Sequence, residues 1–569
     1  AATVSRAAFA ATPLCSVYVE SFSALQKQLL LGAQAYQSPQ LGALPLMMTA
    51  GLPGAQQMDQ EKPVAFHMLD LGDGETGMVI EISPSGAPNA FLQALAGEGV
   101  ALPEPADGVY TLGKGVSVKI VGNRLRLALK ADHAAASLSV GTLPEMPALP
   151  GVLRVSLSPA ALAPKLDGFK KNMAAQPPGG GAQAEQGMRA MSGMMDFYSQ
   201  LLRQVDALHL GLNMQQEGVF IRTRLAPKPG SDVAGILSSG KPVSAAQLGF
   251  FEKDSLFSYA TGGCAMPERF QEQLVSFYTQ MAAASPLYKE GKTNEFAAVM
   301  RQSIRMLGAP MAFTGRLSED GAVLLMQGAM GVADPAAFLK EQVEMMRTPA
   351  FMGMMGQSGI KFPAPTTRDC KGLTVYSWKT QYDEAALKEA ARAALPADLP
   401  AEQADAALES SLASMRLVMK LFGQGYEYAA TPKAVVYGMG APEMIEGAVD
   451  RIRNPARESA EAARIEAVLS PSGTPCSLGR ISLNKLLGIV VAAQPGLAAI
   501  MKAAQVAPSD EGLVFAAWPY KEERLTALLI PASEIKAISA FAQASAAQAM
   551  QRAQGGAAAP ARPPIPPNF

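Results

Sequence analysis

The sequence predicts an α+β protein of two tandem related lobes, each an antiparallel sheet with helices packed on one face. Each lobe opens with a short apolar strand that runs directly into an amphipathic helix, at 16–25 and again from 256–260. Segments of alternating apolar and polar residues around a turn follow, as in β-hairpins. Because the order strand, helix, hairpin, helix recurs four times, the pattern indicates an internal duplication.

Four hairpins are predicted, each around a turn rich in glycine or charged residues. They cover 64–82, 208–225, 311–326 and 513–530. Proline with serine or aspartate follows each hairpin or lies at its exit, which favours the first turn of a helix there.

The clearest internal match pairs Arg-Val-Ser-Leu-Ser at 154–158 with Arg-Ile-Ser-Leu-Asn at 480–484. Both segments end on a residue suited to capping the next helix. A further strand pair lies inside each lobe, at 109–129 in the first and at 373–378 with 426–438 in the second. These segments extend each predicted sheet beyond its hairpins.

The first lobe is predicted over 1–245, with a glycine-rich connector at 176–181. The second covers 246–552 and carries a helical insertion at 383–421, which prolines at 396 and 400 divide into two helices. The segment 553–569 is proline-rich and favours an extended polyproline conformation. It is either a disordered end or a docking arm.

Composition excludes several classes of protein. With 49% hydrophobic residues in 569, the chain is able to bury a large core. A net charge of -1, from 48 basic and 49 acidic residues, gives no global field to attract nucleic acid. No apolar window approaches the roughly 18 residues that span a bilayer, so no transmembrane segment is predicted.

The first residues, Ala1-Ala2-Thr3, are small and lack an initiator methionine, like the mature side of a signal-peptidase site. We therefore expect a mature exported protein, periplasmic or associated with the cell surface. A trimmed start of the chain is the alternative.

Four widely spaced cysteines form no CxxC pair, which argues against a zinc site. In an exported protein an even number permits two disulfides, whose pairing the spacing does not determine. Four buried thiols are the alternative. The residues are Cys15, Cys264, Cys370 and Cys476.

Histidine chemistry has little support, because His67, His133 and His209 are the only histidines and none has a second histidine at metal-ligand spacing. For His67 and His209, on corresponding hairpin strands, we expect partly buried, hydrogen-bonded side chains.

A glycine pattern, Gly72-x-Gly74-x-x-Gly77, matches the dinucleotide fingerprint by letter but precedes a strand rather than a helix. It therefore predicts a hairpin turn. The nearby acidic residues Asp70, Asp73 and Glu75 do not have EF-hand spacing, which leaves weak Ca²⁺ binding as a minor hypothesis. No cofactor or metal is predicted.

Two SxxK patterns, at Ser482 with Lys485 and at Ser533 with Lys536, resemble the motif of penicillin-recognising serine enzymes. No KTG string follows either one. We therefore assign no catalytic residue, and a serine-type hydrolase is the third hypothesis.

Methionine is abundant, with 30 in the chain, and is concentrated twice. Core packing is the ordinary explanation; an apolar groove for a lipid or partner helix and a Cu(I) thioether site are alternatives. Copper is disfavoured because no histidine or cysteine lies beside either group. The methionines are Met188, Met191, Met194 and Met195, then Met345, Met346, Met352, Met354 and Met355.

The run from Leu210-Gly211-Leu212-Asn213 through Gly218-Val219-Phe220-Ile221-Arg222 to Pro229-Gly230-Ser231 resembles a segment of large exported bacterial envelope proteins of unknown function. Those proteins share a repeated strand, hairpin and helix arrangement. The resemblance implies the fold and the compartment, and it names no catalytic position.

The leading hypothesis is a non-catalytic exported cell-envelope protein that acts as a scaffold or assembly subunit. It rests on the duplicated lobes, the proline-rich tail and a surface with only 17% charged residues. The alternative is a carrier that binds a lipid or another apolar ligand between sheet and Met-rich helices. Self-association or a protein partner is expected in the first case.

Overall fold

The protein is described from a computed structural model. It covers residues 11–38, 40–44, 54–72, 75–97, 100–112, 116–128, 137–138, 140, 143–175, 181–283, 293–321, 323–348, 351–352, 360–361, 363–393, 395, 400–422, 425–455, 459–469, 473–493, 495–505, 509–520 and 522–554.

The fold is a mixture of helix and antiparallel sheet, 45% helical and 30% strand, as the sequence predicts for an α+β protein. In chain order the strands are β1 (Thr12–Val19), β2 (Val64–Gly72), β3 (Glu75–Ile82), β4 (Val109–Leu112), β5 (Val116–Val121), β6 (Arg124–Ala128), β7 (Leu153–Leu157), β8 (Val205–Met214), β9 (Gly218–Pro227), β10 (Phe257–Thr261), β11 (Met311–Leu317), β12 (Leu324–Met330), β13 (Ile360–Lys361), β14 (Thr366–Cys370), β15 (Leu373–Trp378), β16 (Gln381–Tyr382), β17 (Tyr426–Ala430), β18 (Val435–Met439), β19 (Ser477–Ile481), β20 (Leu513–Tyr520) and β21 (Glu523–Pro531).

The helices of the described residues are α1 (Phe22–Ala35), α2 (Pro88–Ala96), α3 (Pro159–Ala175), α4 (Gly181–Leu202), α5 (Asp232–Ser238), α6 (Ala245–Leu248), α7 (Glu268–Ala283), α8 (Thr293–Arg305), α9 (Pro335–Met346), α10 (Glu384–Ala393), α11 (Ala401–Phe422), α12 (Pro442–Arg453), α13 (Ala460–Leu469), α14 (Leu483–Ala493), α15 (Pro495–Ala504) and α16 (Ala532–Gln554), with one 3-10 turn at Ala55–Gln57.

The chain forms two compact units. Unit 1 comprises Ala1–Gly179, Met194–Ser238 and Pro519–Ala532, and unit 2 comprises Gly180–Gly193, Ser239–Trp518 and Ser533–Phe569. Each unit therefore draws on more than one stretch of the sequence.

Unit 1 contains an antiparallel sheet in the order β4-β5-β6-β3-β2-β1-β7-β8-β9-β21. The first strand of the chain, β1, lies inside this sheet, because it pairs with β2 on one side and with β7 on the other. Strand order thus departs from chain order at β1.

Helices α1 and α2 cover one face of this sheet. Helix α1 begins after Ser21, whose Oγ accepts a hydrogen bond from the amide of Ala24 at 3.0 Å. Its apolar side chains, including Leu25 and Leu29, pack with Val64 of β2 and with the neighbouring strands. Burial of these side chains supplies the main stabilising term for the layer.

A buried polar pair lies between β1 and β2. Ser16 and His67 are directly opposite each other, and the Ser16 hydroxyl lies 2.8 Å from His67 Nδ1. Both residues are 1% exposed, and the Tyr18 ring packs edge-on against the imidazole. Burial lowers the pKa of His67 to about 4, with smaller opposing and reinforcing effects of Glu81 and Arg126.

Unit 2 contains antiparallel strands in the order β14-β15-β17-β18-β12-β11-β10-β19-β20. Its first strand, β10, pairs with β11 and with β19, as β1 pairs with β2 and β7. Helix α12 packs on β12 and β18, and α9 packs on β17 and β18. The short strands β13 and β16 pair with each other.

Several predicted elements are confirmed. Strands occupy the predicted hairpin segments, and helices α10 and α11 occupy the predicted insertion on either side of its prolines. The predicted connector at 176–181 lies outside the described residues except for its last residue, which begins α4. The proline-rich tail after residue 554 also lies outside them.

Because the folded protein disfavours the charged form of His67, we predict that acid destabilises unit 1 through this residue. The unfolded chain binds a proton near the ordinary pKa of 6.5, whereas the folded chain binds it only near 4. The free energy of unfolding should therefore fall as pH drops from about 6.5 to 4, and His67→Asn should flatten that slope.

Urea unfolding at a series of pH values measures this slope. Ser16→Ala is the matched control, because it removes the hydrogen-bond partner and leaves the titrating ring in place. An unchanged pH dependence in His67→Asn would show that other groups cause the acid sensitivity.

Candidate functional site

The candidate site lies in unit 1, where helices α3 and α4 run side by side. The Lys170 ammonium binds both carboxylate oxygens of Asp196 at 2.5 Å. One helical turn away, Ser199 Oγ donates to Asp167 Oδ1 at 2.8 Å, and Arg203 also pairs with Asp167. These links hold the two helices antiparallel and in a fixed register.

Three aromatic residues, Phe169, Phe197 and Tyr198, lie at the level of these links; we call them the aromatic patch. Phe169 is 58% exposed and Tyr198 is 52% exposed. The rings of Phe197 and Tyr198 are 5.9 Å apart in an edge-to-face arrangement. The Phe169 and Tyr198 rings are therefore exposed to solvent, and the ion pairs beside them hold the backbones of α3 and α4 in place.

The electrostatics of the site are close to neutral. Hydrogen bonding by Ser199, with support from Arg203 and Lys170, lowers the pKa of Asp167, so its carboxylate stays ionised. The surrounding charges form opposite-sign pairs. The site therefore combines exposed rings with charges that are paired with each other.

A second aromatic surface crosses the sheet of unit 2. Six aromatic side chains and two glycines share one register row, and all six rings are half-buried. We call this the aromatic row: Tyr376, Tyr428, Tyr437, Gly328, Phe313, Tyr259, Gly479 and Phe515.

The two glycines make room for rings from the neighbouring strands. A Cβ at Gly328 would lie 2.3 Å from the Tyr437 ring, and a Cβ at Gly479 would lie 2.2 Å from the Phe515 ring. The Tyr259 ring centroid lies 5.5 Å from that of Phe313 and 6.2 Å from that of Phe515. Glycine is needed here because no larger residue fits beneath the rings.

Two hydroxyls of the row stay neutral at ordinary pH. Burial raises the pKa of Tyr428 to about 12, and burial together with Tyr428 raises the pKa of Tyr437. Tyr376 and Tyr428, at one end of the row, pack against a core cluster that contains Leu339 and Val343 of α9.

On the opposite face of the same strands, one register row is polar and buried. Across neighbouring strands lie Arg480, Ser258, Thr314 and Gln327, none more than 5% exposed. Ser258 Oγ lies 2.9 Å from Thr314 Oγ1. Gln327 donates to Glu252 at 3.2 Å, while its own side-chain oxygen has no hydrogen-bond partner among the described residues.

Arg480 is the centre of this polar layer. Its guanidinium donates to Ser255 O at 2.6 Å and to Ser255 Oγ at 2.9 Å, and it also bonds to Asp510 O. Glu461, 3.2 Å from Arg480 Nε, supplies the compensating charge and pairs with Arg464 as well. The side chain of Arg480 is 0% exposed, so these partners rather than water balance its charge, although its Nε has no hydrogen-bond partner among the described residues.

The first SxxK serine has a structural role. Ser482 is 0% exposed, accepts from the Lys485 amide at 3.3 Å and donates to Glu534 at 3.4 Å, which caps the start of α14. The Lys485 ammonium binds Asp254 O at 2.8 Å and lies near Asp510 rather than near the serine. This geometry does not activate Ser482 as a nucleophile.

The second SxxK serine, Ser533, donates to Glu511 at 2.5 Å at the start of α16. Glu534, beside it, is 0% exposed, and burial raises its pKa while the Asn484 amide and Ser482 oppose this effect. Ser482 therefore caps the start of α14, and Ser533 lies in the first turn of α16.

The histidines singled out in the sequence lie in different environments. His67 is hydrogen-bonded, as predicted, but it is fully rather than partly buried. His209 is half-buried, its Nδ1 has no hydrogen-bond partner among the described residues, and burial lowers its pKa. His133 lies outside the described residues.

Asp70 belongs to the turn between β2 and β3, where it accepts from the Gly72 amide and pairs with Lys165 at 2.6 Å. The segment after the turn is strand β3, as predicted from the glycine pattern. Asp73 lies outside the described residues, and within them no cluster of three or more histidine, cysteine, aspartate or glutamate side chains suits a metal ion.

Met188, Met191, Met194 and Met195 lie on α4, and Met345 and Met346 end α9. Met346 packs against Leu339, Val343 and Trp378. Met352 is exposed, and Met354 and Met355 lie outside the described residues. A polar groove of about 290 Å³ lies elsewhere, between α7 and α8, with Glu272 and Arg301 in its wall.

All four cysteines are thiols in the structure. Cys370 and Cys476 are buried, and Cys15 and Cys264 are half-buried. Burial raises the pKa of Cys15 and of Cys370, so both favour the neutral thiol.

Sequence reasoning missed both aromatic surfaces. The row carries a signal, because aromatic residues alternate with small or polar ones at 257–259, 376–378 and 426–428. The patch carries a weaker signal, since the large apolar residue Phe169 lies within a charged stretch of α3 at 167–171.

A comparison of the chain with protein-family models, curated proteins and solved structures finds no match. In the described part of the chain, no helix has the length and apolar character needed to cross a membrane.

Proposed function

We propose that this protein is a non-catalytic, exported cell-envelope protein, periplasmic or on the cell surface, that acts as a scaffold or assembly subunit. The observation that carries the proposal is the aromatic patch on α3 and α4. Exposed aromatic residues in a fixed frame are typical of surfaces that bind another macromolecule.

Energetics favour association at this patch. Phe169 and Tyr198 are each little more than half exposed, so about half of the 150–250 Å² of an aromatic side chain remains to be buried on binding. At roughly 25 cal/mol per Å², two rings then supply at most a few kcal/mol. The Lys170–Asp196 and Asp167–Ser199 contacts already order the backbone beneath them. A preordered surface loses less conformational entropy on binding.

The proposal includes an internal duplication, which makes the two units related lobes. The order in which the strands pair supports this duplication. Strands β1, β2, β3, β6 and β7 of unit 1 pair in the order found for β10, β11, β12, β18 and β19 of unit 2. A repeated topology of this kind is common in proteins that present binding surfaces.

We predict that the double variant Phe169→Ser/Tyr198→Ser lowers self-association while leaving the fold and its thermal stability unchanged. Both side chains are more than half exposed, so their loss removes no core packing. Sedimentation velocity over a range of protein concentrations measures the effect.

Tyr278→Ser is the matched control, because Tyr278 is also exposed and packs edge-on against a preceding phenylalanine, at 5.2 Å from Phe277. If the wild-type chain remains monomeric at every concentration and binds no envelope protein, the proposed function is wrong.

A second candidate function is a carrier for a lipid or another apolar ligand, and the aromatic row favours it. Half-buried, uncharged rings across one face of a sheet suit an apolar molecule. Native mass spectrometry of protein purified from its own envelope should then show one discrete added mass, which Tyr259→Ser/Phe313→Ser removes. A bare chain mass in the wild type would count against this role.

A further inference from the structure

We infer that Cys15, Met68 and Met78 bind a Cu(I) ion on the sheet of unit 1. The cysteine supplies a thiolate and the two methionines supply thioethers, and a ligand set of soft sulfur atoms favours the soft ion Cu(I). The site does not depend on the proposed assembly function, because it uses none of the residues of the aromatic patch.

The three sulfur-bearing residues lie side by side on neighbouring strands. Cys15 of β1 is directly opposite Met68 of β2, and Met68 is directly opposite Met78 of β3. Directly opposite residues of an antiparallel pair share one face of the sheet, with Cβ atoms about 4.5–5.5 Å apart. Because a methionine side chain has three rotatable bonds, both thioethers reach an ion that the cysteine sulfur holds.

A β-bulge produces this register. Pro13 is opposite Leu69, whereas Cys15 is opposite Met68, so Leu14 is the extra residue of β1. In regular pairing Leu14 would be opposite Met68. The bulge therefore places a thiol, instead of a leucine side chain, beside the first thioether.

The two methionines lie where the apolar face of the sheet emerges from its helices. The neighbouring pair on this face, Phe66 with Ile80, packs in the core cluster with α1 and α2. The next pair along the strands is outside that cluster, with Met68 41% exposed and Met78 46% exposed. Their exposure adds little to core packing, and it leaves both side chains accessible to an ion from solvent.

Binding is coupled to the loss of one proton, because the Cu(I) ion replaces the thiol proton of Cys15, which passes to solvent. Burial raises the pKa of Cys15, so the free thiol is protonated at neutral pH. The apparent affinity should therefore rise about tenfold per pH unit between about pH 6 and 8. A site made of thioethers alone has no such slope.

The test is an anaerobic titration of the full chain with Cu(I) at several pH values, with bicinchoninate as the competing chelator. We expect one tightly bound ion per chain and the pH slope of a single proton. Cys15→Ser should remove both the tight binding and the slope. Cys264→Ser is its control, because Cys264 is the other half-buried cysteine.

Met68→Leu/Met78→Leu removes both thioethers and keeps the size of the side chains. Loss of even an outer-shell partner costs about 10–100-fold in metal affinity, so this variant should bind Cu(I) at least about tenfold more weakly. Met191→Leu, at another exposed methionine, should leave the affinity unchanged.

Any of three results would overturn the inference. Unchanged affinity in Met68→Leu/Met78→Leu would show that the thioethers are not ligands. Tight binding with an unchanged pH slope in Cys15→Ser would place the ion elsewhere. An X-ray absorption spectrum of the Cu(I)-loaded chain with nitrogen or oxygen neighbours, rather than three sulfur neighbours, would contradict the ligand set.

Discussion

The buried guanidinium of Arg480 is the interaction on which the arrangement of unit 2 depends. Moving such a charge from water into a dry interior costs several kcal/mol even after relaxation. The cost is offset only while Glu461, Ser255 and Asp510 all remain in place. One side chain of β19 therefore fixes α13, the segment before β10 and the segment before β20.

Arg480 belongs to a buried polar row on one face of the unit 2 strands, and the half-buried aromatic row lies on the other face. Along β11, Ala312 and Thr314 are buried and the intervening Phe313 is half-buried. Helix α12 and the Glu252 region cover the polar face, where Arg451 pairs with Glu252 at 2.6 Å. The rings on the other face pack against each other across the strands. Gly328 and Gly479 leave the space that the Tyr437 and Phe515 rings occupy.

Sequence patterns predicted the strands and helices because alternation and turn residues act locally. Unlike secondary structure, the burial of a side chain is not set locally, as Arg154 and Arg480 show. Arg154 occupies the same pattern as Arg480, yet its side chain is 15% exposed and donates to backbone oxygens of Gly151 and Pro147. No local signal separates the two, because burial is set by distant segments. For the same reason the SxxK serines and the aromatic patch acquire their roles only in the folded chain.

Hydroxyl-radical footprinting of the full chain at low and high protein concentration tests the central claim of assembly through α3 and α4 most directly. The account predicts that oxidation of Phe169 and Tyr198 falls as concentration rises, while oxidation of Tyr278 stays constant. Equal oxidation of Phe169 and Tyr198 at both concentrations, in samples where self-association is observed, would contradict it.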